Sequence, residues 1–252
     1  MRHARMMVEN AVVKIVGVLG GMSSVASAEY YRRLNEGVNA HLGGHAAAEL
    51  LLYSVDFAVI EACVRAERWE QAADYLVERA RRLERGGAEF LVLATNTMHR
   101  VAPEIEAAVS IPLVHIVDVT ADAALAAGAN RLGLLGTAPV MQADFYRSRF
   151  AARGIEVLVP NGPDQSVVHD VIFEELTRGR LEDASRKEYL RIMRELADRG
   201  AEGIVLGCTE ISLLISPVDL PDVALYDTTA LHVDRAVQLA LGLQALSGPV
   251  AA

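Results

Sequence analysis

From Gly87 the chain reads GAEFLVLATNT, and from Gly200 it reads GAEGIVLGCTE. Gly-Ala-Glu matches, a short apolar run matches, and Thr95 then stands where Cys208 stands. Two more segments repeat in the same order. KIVGVLGG, from Lys14, is echoed by NRLGLLGT, which sets Gly17 on Gly133 and Gly20 on Gly136 and ends on Thr137. IPLVHIVDVTA is echoed by LPDVALYDTTA, which sets Pro112 on Pro221 and Asp118 on Asp227. The offsets (133 − 17, 200 − 87 and 221 − 112) drift slowly downward, as a few loop deletions would make them do. Such a chain is expected to fold as two α/β lobes related by pseudo-twofold symmetry. The plainer explanation is that unrelated strand-loop-helix units look alike.

The local pattern agrees with the repeat. KIVGVLGG is a β-branched apolar run ending in Gly-Gly, and ASAEYYRRLNEGV after it has helical spacing. AELLLYSVDF reads as a second strand, ERWEQAADYLVERARRLERGG as a helix with a glycine stop, AEFLVLATNT as a third strand, HRVAPEIEAAV as helical around its proline, and IPLVHIVD as a fourth strand. Continuous apolar strands alternating with helices imply parallel sheets flanked by helices. The expected lobes are residues 14–118, with a C-terminal helix 227–243 packing back on them, and residues 119–226. The active site is expected in the interlobe cleft.

Charge and composition exclude several functions. The formal net charge is −9, which disfavours nucleic acid and anionic membrane as partners. No apolar run approaches the ~20 residues that span a bilayer. The leader Met1 to Asn10 has no apolar core and does not read as a signal peptide, while the tail QALSGPVAA is expected to fray. Two cysteines, Cys63 and Cys208, make neither a disulfide framework nor a metal site, so no metal is expected and the compartment is expected to be the cytoplasm. Cys63 reads as core or helix flank.

In open parallel sheets ligands bind beyond the carboxyl ends of the strands, where Thr95 and Cys208 both fall. Opposed across a ligand, the two would suit removal of a proton from one face of a carbon and its return to the other. Abstracting an amino acid's α-proton usually calls on PLP as electron sink. The two lysines, Lys14 opening a strand and Lys187 in a charged helix, do not read as Schiff-base residues, so no cofactor is expected. The enediolate must then be stabilised by hydrogen-bond donors. Asn96, Thr97 and Thr209 at the strand exits, Thr137 in the echoing turn, and Met22 and Ser23 in the turn Gly20-Gly21-Met22-Ser23 are the candidates. A threonine or serine at such a place is also an ordinary helix cap. A thiol, with a pKa of about 8.5, comes within reach of ionisation at neutral pH if a helix end helps. A threonine hydroxyl is far less acidic. Cys208 therefore reads as main acid/base and Thr95 as its weak opposite. His99 and Glu210 are placed to orient or feed them; the plainer reading of His99 is a helix-start histidine bonded to backbone. His115 reads as a core residue within a strand.

As a set, GVLGGMS, TNTMH and GCTEI resemble the cofactor-independent aspartate/glutamate racemase family, over roughly Lys14 to Leu241. The resemblance implies two similar α/β lobes and an acid/base pair of thiols. Cys208 matches the second thiol. Thr95 departs from the first and is similar to a Thr/Cys subgroup of broad or L-selective amino-acid racemases, as are SVDF, NTMH and DFYR. In the family a basic or amide residue before the second strand, and a lysine before IFEEL, are associated with an acidic substrate side chain. Glu49 and Val168 stand at those places, which argues against aspartate and glutamate and toward a neutral or cationic side chain near Glu49. The expectation is an amino-acid racemase acting on a small-molecule amino acid, with a homodimer as its assembly. The amino acid and the preferred enantiomer stay open. The rivals are a cofactor-free decarboxylase of the arylmalonate type, which uses a single cysteine, and a decayed small-molecule-binding homologue.

Overall fold

The computed structural model describes residues 13–244. The expectations for the leader and for the tail beyond Gln244 fall outside them. Two four-stranded sheets carry the fold, and every strand pairing in them is parallel. The first half runs β1 (Val16–Gly20), α1 (Ser24–Leu42), β2 (Leu50–Ser54), α2 (Phe57–Arg65), α3 (Trp69–Arg85), β3 (Phe90–Leu93), a 3₁₀ turn (Thr97–Val101), α4 (Ala102–Ala108) and β4 (Leu113–Val114). The second runs α5 (Ile116–Ala126), β5 (Arg131–Gly136), α6 (Ala138–Gln142), α7 (Asp144–Ala151), β6 (Glu156–Leu158), α8 (Gly162–Glu174), α9 (Asp183–Asp198), β7 (Gly203–Gly207), α10 (Ile211–Leu214), β8 (Ala224–Asp227) and α11 (Thr228–Ala240). Strand order is β2-β1-β3-β4 in one sheet and β6-β5-β7-β8 in the other, the same plan twice.

The chain divides into two compact units. Unit 1 takes the residues up to Ala94, Val101–Val114 and those from His232 on; unit 2 takes Thr95–Arg100 and His115–Leu231. Thr95 thus belongs to unit 2, although β3, which it follows, belongs to unit 1. Among the described residues no helix is long and apolar enough to cross a membrane.

The repeated Gly-Ala-Glu has a physical cause in each unit. Gly87 and Gly200 adopt φ values of 101° and 95°, the left-handed conformation that lets the chain leave α3 and α9. Ala88 and Ala201 then donate their N–H groups to Leu83 and Leu196, closing the helix ends. The Glu89 carboxylate accepts from the Ile15 N–H at 2.8 Å. The Glu202 carboxylate likewise accepts from Asn130 and Arg131, at 2.7 and 3.0 Å. Each motif therefore stops a helix, starts a strand and satisfies backbone donors entering the neighbouring strand.

The third sequence match needs correction. Leu91 pairs with Leu113 in the first sheet and Ile204 with Leu225 in the second, so the structural offset there is 112 (225 − 113). Asp118 does not fall on Asp227. It lies inside α5, where Arg149 of α7 grips it through two nitrogens at 2.8 and 2.7 Å. The residue equivalent to Asp227 is His115. Both are N-caps: the His115 Nδ1 accepts from the Val117 N–H at 3.2 Å, and the Asp227 carboxylate accepts from Thr229 and Ala230 at 2.9 and 3.1 Å. The expected strand IPLVHIVD accordingly ends at Val114, and His115 is a buried cap rather than a strand residue.

In unit 1 a fully buried histidine ties three elements. His232, in α11, donates from Nε2 to the Val114 carbonyl at 2.8 Å and accepts at Nδ1 from the Tyr30 hydroxyl of α1 at 2.8 Å. Burial pushes its pKa down from 6.5 to about 4. The folded state therefore holds it neutral, while the unfolded chain takes up its proton as pH falls below about 6.5. Its stabilising contribution is present above that pH and is lost between pH 6.5 and 4, a loss of roughly 3 kcal/mol for a shift of that size. Urea unfolding of wild type and His232→Gln across this window tests it. The variant is expected to lose stability less steeply; parallel curves would remove His232 as a source of acid sensitivity.

Candidate active site

At the exit of β7 the chain reads Gly207-Cys208-Thr209-Glu210. Neighbouring strands come close here because they carry no side chain: a Cβ on Gly207 would lie 2.8 Å from the Leu135 carbonyl, and one on Gly136 would lie 2.9 Å from that of Gly207. Cys208 is 9% exposed and packs with Leu206, Met141, Val168 and Tyr189. Its Sγ donates to Glu210 Oε2 at 3.1 Å. The Thr209 hydroxyl donates to the same oxygen. Burial and the Glu210 carboxylate push the Cys208 thiol up, against partial opposition from the Glu210 and Thr209 backbone N–H groups. This corrects the expectation of a thiol that ionises near neutrality at a helix end. The helix that follows, α10, has four residues, and an acidic side chain stands at its start. The resting group is the thiol.

The β3 exit lies in unit 2 with it. Thr95 is buried to 7% exposure, and its hydroxyl makes no hydrogen bond to another described residue. Its carbonyl accepts from His99 Nδ1 at 2.6 Å, while His99 Nε2 accepts from the Ile116 N–H at 3.2 Å. Those two partners fix the tautomer with the proton on Nδ1. His99 is thus bonded to backbone, and part of that backbone is Thr95's own. Asn96 accepts from the Tyr146 hydroxyl at 2.8 Å and donates to the Thr228 hydroxyl at 3.1 Å. Thr228 donates in turn to the Leu206 carbonyl at 2.8 Å, two residues before Cys208. Tyr146 is fully buried and lies within electrostatic reach of Cys208; both effects hold its phenol protonated. A chain of hydrogen bonds therefore joins the loop after Thr95 to the strand before Cys208. The Thr97 and Thr137 hydroxyls meet at 3.0 Å. Next to Thr137, the Ala138 N–H donates to His169 Nδ1 of α8 at 3.1 Å.

Structure thus brings Thr95, Asn96, Thr97, Thr137, Cys208 and Thr209 into one unit. It adds Tyr146, Thr228 and His169, which no local spacing announced. DFYR held Tyr146, and DTTA held Thr228, without a sign of their partners. Met22, Ser23 and Glu49 belong to unit 1. Met22 and Ser23 are buried in the turn after β1, where Ser23 caps α1 through Ala26 N–H at 3.1 Å. Glu49 is exposed at the opposite edge of the same sheet. It immediately precedes β2, whose first residue pairs with Val16 at the amino end of β1, roughly 15 Å of strand from the exits at Gly20 and Ser54. That placement sets Glu49 at the amino end of β2, away from the strand exits of its own sheet. Val168 is fully buried, and its carbonyl accepts from the Tyr189 hydroxyl at 2.8 Å. Among the described residues no group of three or more histidine, cysteine, aspartate or glutamate side chains is placed to hold a metal ion.

Residues 19–236 fit the family profile described as Asp/Glu/Hydantoin racemase. The chain belongs to that family. It is similar to a candidate Asp/Glu racemase from Yersinia pestis, with 44% identity, 92% of this chain and 100% of that one covered, and a TM-score of 0.86. It is also similar to an aspartate racemase homologue from Pyrococcus horikoshii OT3, with 34% identity, 90% and 99% covered, and a TM-score of 0.79. The broad specificity amino-acid racemase RacX of Bacillus subtilis (strain 168) is 24% identical over 169 residues, covering 67% of this chain and 72% of that protein.

Proposed function

We propose that this protein is an amino-acid racemase that moves the α-proton directly, without PLP or metal, with Cys208 on one face of the substrate carbon and Thr95 on the other. The observation that carries the reading is the repeat itself. Thr95 and Cys208 follow strands that occupy the same place in two identical sheet plans, and both bear a transferable proton. The free Thr95 hydroxyl and the hydroxyl and amide groups of Asn96, Thr97, Thr137 and Thr209 favour a polar ligand there. Ser23 and Met22 enter as further substrate contacts on the sequence pattern alone. A cytoplasmic homodimer completes the proposal. The decarboxylase and the decayed binder gain no observation of their own.

The two acid/base groups are chemically unequal, and this gives the test. Each common amino acid is incubated in D₂O, and loss of the α-proton signal is followed separately for each enantiomer. Exchange is expected from both, faster from the one whose hydrogen faces Cys208, because a thiol ionises far more readily than an alcohol. It is expected to survive chelators and hydroxylamine. Thr95→Cys should speed the slower enantiomer more than the faster one. Equal wild-type rates, or loss of activity with metal removal, would defeat the reading, and carbon dioxide released from an arylmalonate without any exchange would put the decarboxylase in its place.

A further inference from the structure

Asn96 follows Thr95, is buried, and has both ends of its amide bonded inside unit 2. A side-chain amide can usually be turned over without loss of fit. Here the partners forbid it. The Leu206 carbonyl only accepts, so the Thr228 hydroxyl points its proton there, at 2.8 Å. Thr228 must then accept from Asn96 at 3.1 Å, which sets the amide nitrogen on that side and Oδ1 toward Tyr146. The Tyr146 hydroxyl, at 2.8 Å, is therefore the donor. The bonds run with a single polarity, from Tyr146 through Asn96 and Thr228 to Leu206. Tyr146, at the head of the series, is firmly seated. Its ring lies 5.7 Å, centroid to centroid, from those of Phe145 and Phe150, and Arg149 of the same helix grips Asp118 of α5. The Thr95 hydroxyl has no hydrogen bond of its own among the described residues, so its place depends on the main chain that carries it. His99 holds that chain at the Thr95 carbonyl, and the Asn96 amide holds it at the next residue.

We infer that Tyr146 is a positioning residue for Thr95, acting through the Asn96 amide. The role rests on the racemase reading. Without the Tyr146 hydroxyl, Asn96 Oδ1 is a buried acceptor with no donor, and nothing keeps the amide from leaving Thr228. The loop that begins at Thr95 then loses one of its two side-chain holds. The Cys208 end loses none, because Thr228 still donates to Leu206. Tyr146 is buried as a neutral phenol, so exchanging it for phenylalanine changes no charge near Cys208. The consequence is one-sided. The face of the substrate carbon served by Thr95 suffers, and the face served by Cys208 is spared. A displacement of about 1 Å can cost on the order of 10²-fold in a group that must meet a reacting atom.

Two measurements on Tyr146→Phe separate this role from a merely structural one. The first is α-proton exchange in D₂O, followed for each enantiomer. Exchange from the enantiomer whose hydrogen faces Thr95 should fall by ~10–10²-fold, and exchange from the other by less than about threefold. Equal losses would leave Tyr146 a structural residue only, and wild-type rates for both would remove it altogether. The second measurement needs no catalysis. With Thr95→Cys, Cys63→Ser and Cys208→Ser combined, position 95 carries the only thiol of the chain. Adding Tyr146→Phe should speed its alkylation by iodoacetamide about fivefold or more, as the loop opens more often. An unchanged rate would show that the amide does not hold position 95. If Tyr146→Phe does not fold, Thr228 tests the same tie. Thr228→Ser keeps the hydroxyl and should hold both exchange rates within about threefold of wild type, whereas Thr228→Val keeps the shape, releases both ends and should slow both by about tenfold or more. A folded Thr228→Val protein with wild-type exchange would overturn the tie. A wild type that exchanges no amino acid would instead overturn the racemase reading, and the alkylation comparison would still decide whether Tyr146 holds position 95.

Discussion

Cys208→Ser is expected to lower turnover by roughly 10²–10⁴-fold while leaving the fold in place. Serine is nearly the size of cysteine, and its hydroxyl can still donate to Glu210, so the β7 exit keeps its hydrogen bond. What is lost is acidity. An alcohol beside a buried carboxylate yields its proton far less readily than a thiol, so the Cys208 face of the substrate carbon loses its base. The check is α-proton exchange beside a thermal melt of the same preparation. A folded serine variant with near-wild-type exchange would remove sulfur from the mechanism. A variant that has lost both fold and activity would leave Cys208→Ala, which makes no new hydrogen bond, to separate the two effects.

The second large effect is on stability. Gly21 follows β1 with φ at 93°, and a Cβ there would lie 2.4 Å from both the N and the O of Val55. Those atoms are backbone, and they cannot retreat cheaply: the Val55 N–H donates to Gly20 at 2.9 Å, and the Gly21 N–H donates to the Ser27 hydroxyl at 2.7 Å. Gly21→Ala combines a strained backbone with overpacking, together roughly 2–5 kcal/mol. In a protein of this length that corresponds to a melting temperature lower by about 5–20 °C. Gly179 is the control. Its φ of 72° and ψ of 18° are left-handed helical, and a Cβ there would meet nothing within 4 Å, so Gly179→Ala should cost only about 1 kcal/mol. Equal shifts for the two variants would show that the close approach to Val55 contributes nothing.

The sheets were legible because their strands are buried on both faces and read as unbroken apolar runs. In β1, β3 and β7 every residue is buried. β6 escaped notice: three residues at a sheet edge, partly exposed, leave too short a pattern to separate from loop. α5 was misjudged because its start, Ile116-Val117, is as apolar as the strand before it, and over eight residues a buried helix and a buried strand look alike. Its cap is a histidine, outside the usual serine, threonine, aspartate and asparagine set. In the site, Cys208 and Thr95 stood out because the repeat compares them directly. Tyr146 and Thr228 reach Asn96 from 50 and 132 residues away, a relation that no window of sequence contains.

Unit 1 is assembled from three stretches of chain, the last beginning at His232. Its closing contacts all wait for that stretch: His232 on Tyr30 and Val114, and the Lys14 N–H on the Ala240 carbonyl at 2.9 Å. Unit 2 needs nothing beyond Leu231. Domains generally fold in the order in which they are translated. Here the four strands of unit 1 all precede those of unit 2 in the chain, yet unit 1 also takes the carboxyl-terminal part of α11, so its set of residues is completed after that of unit 2.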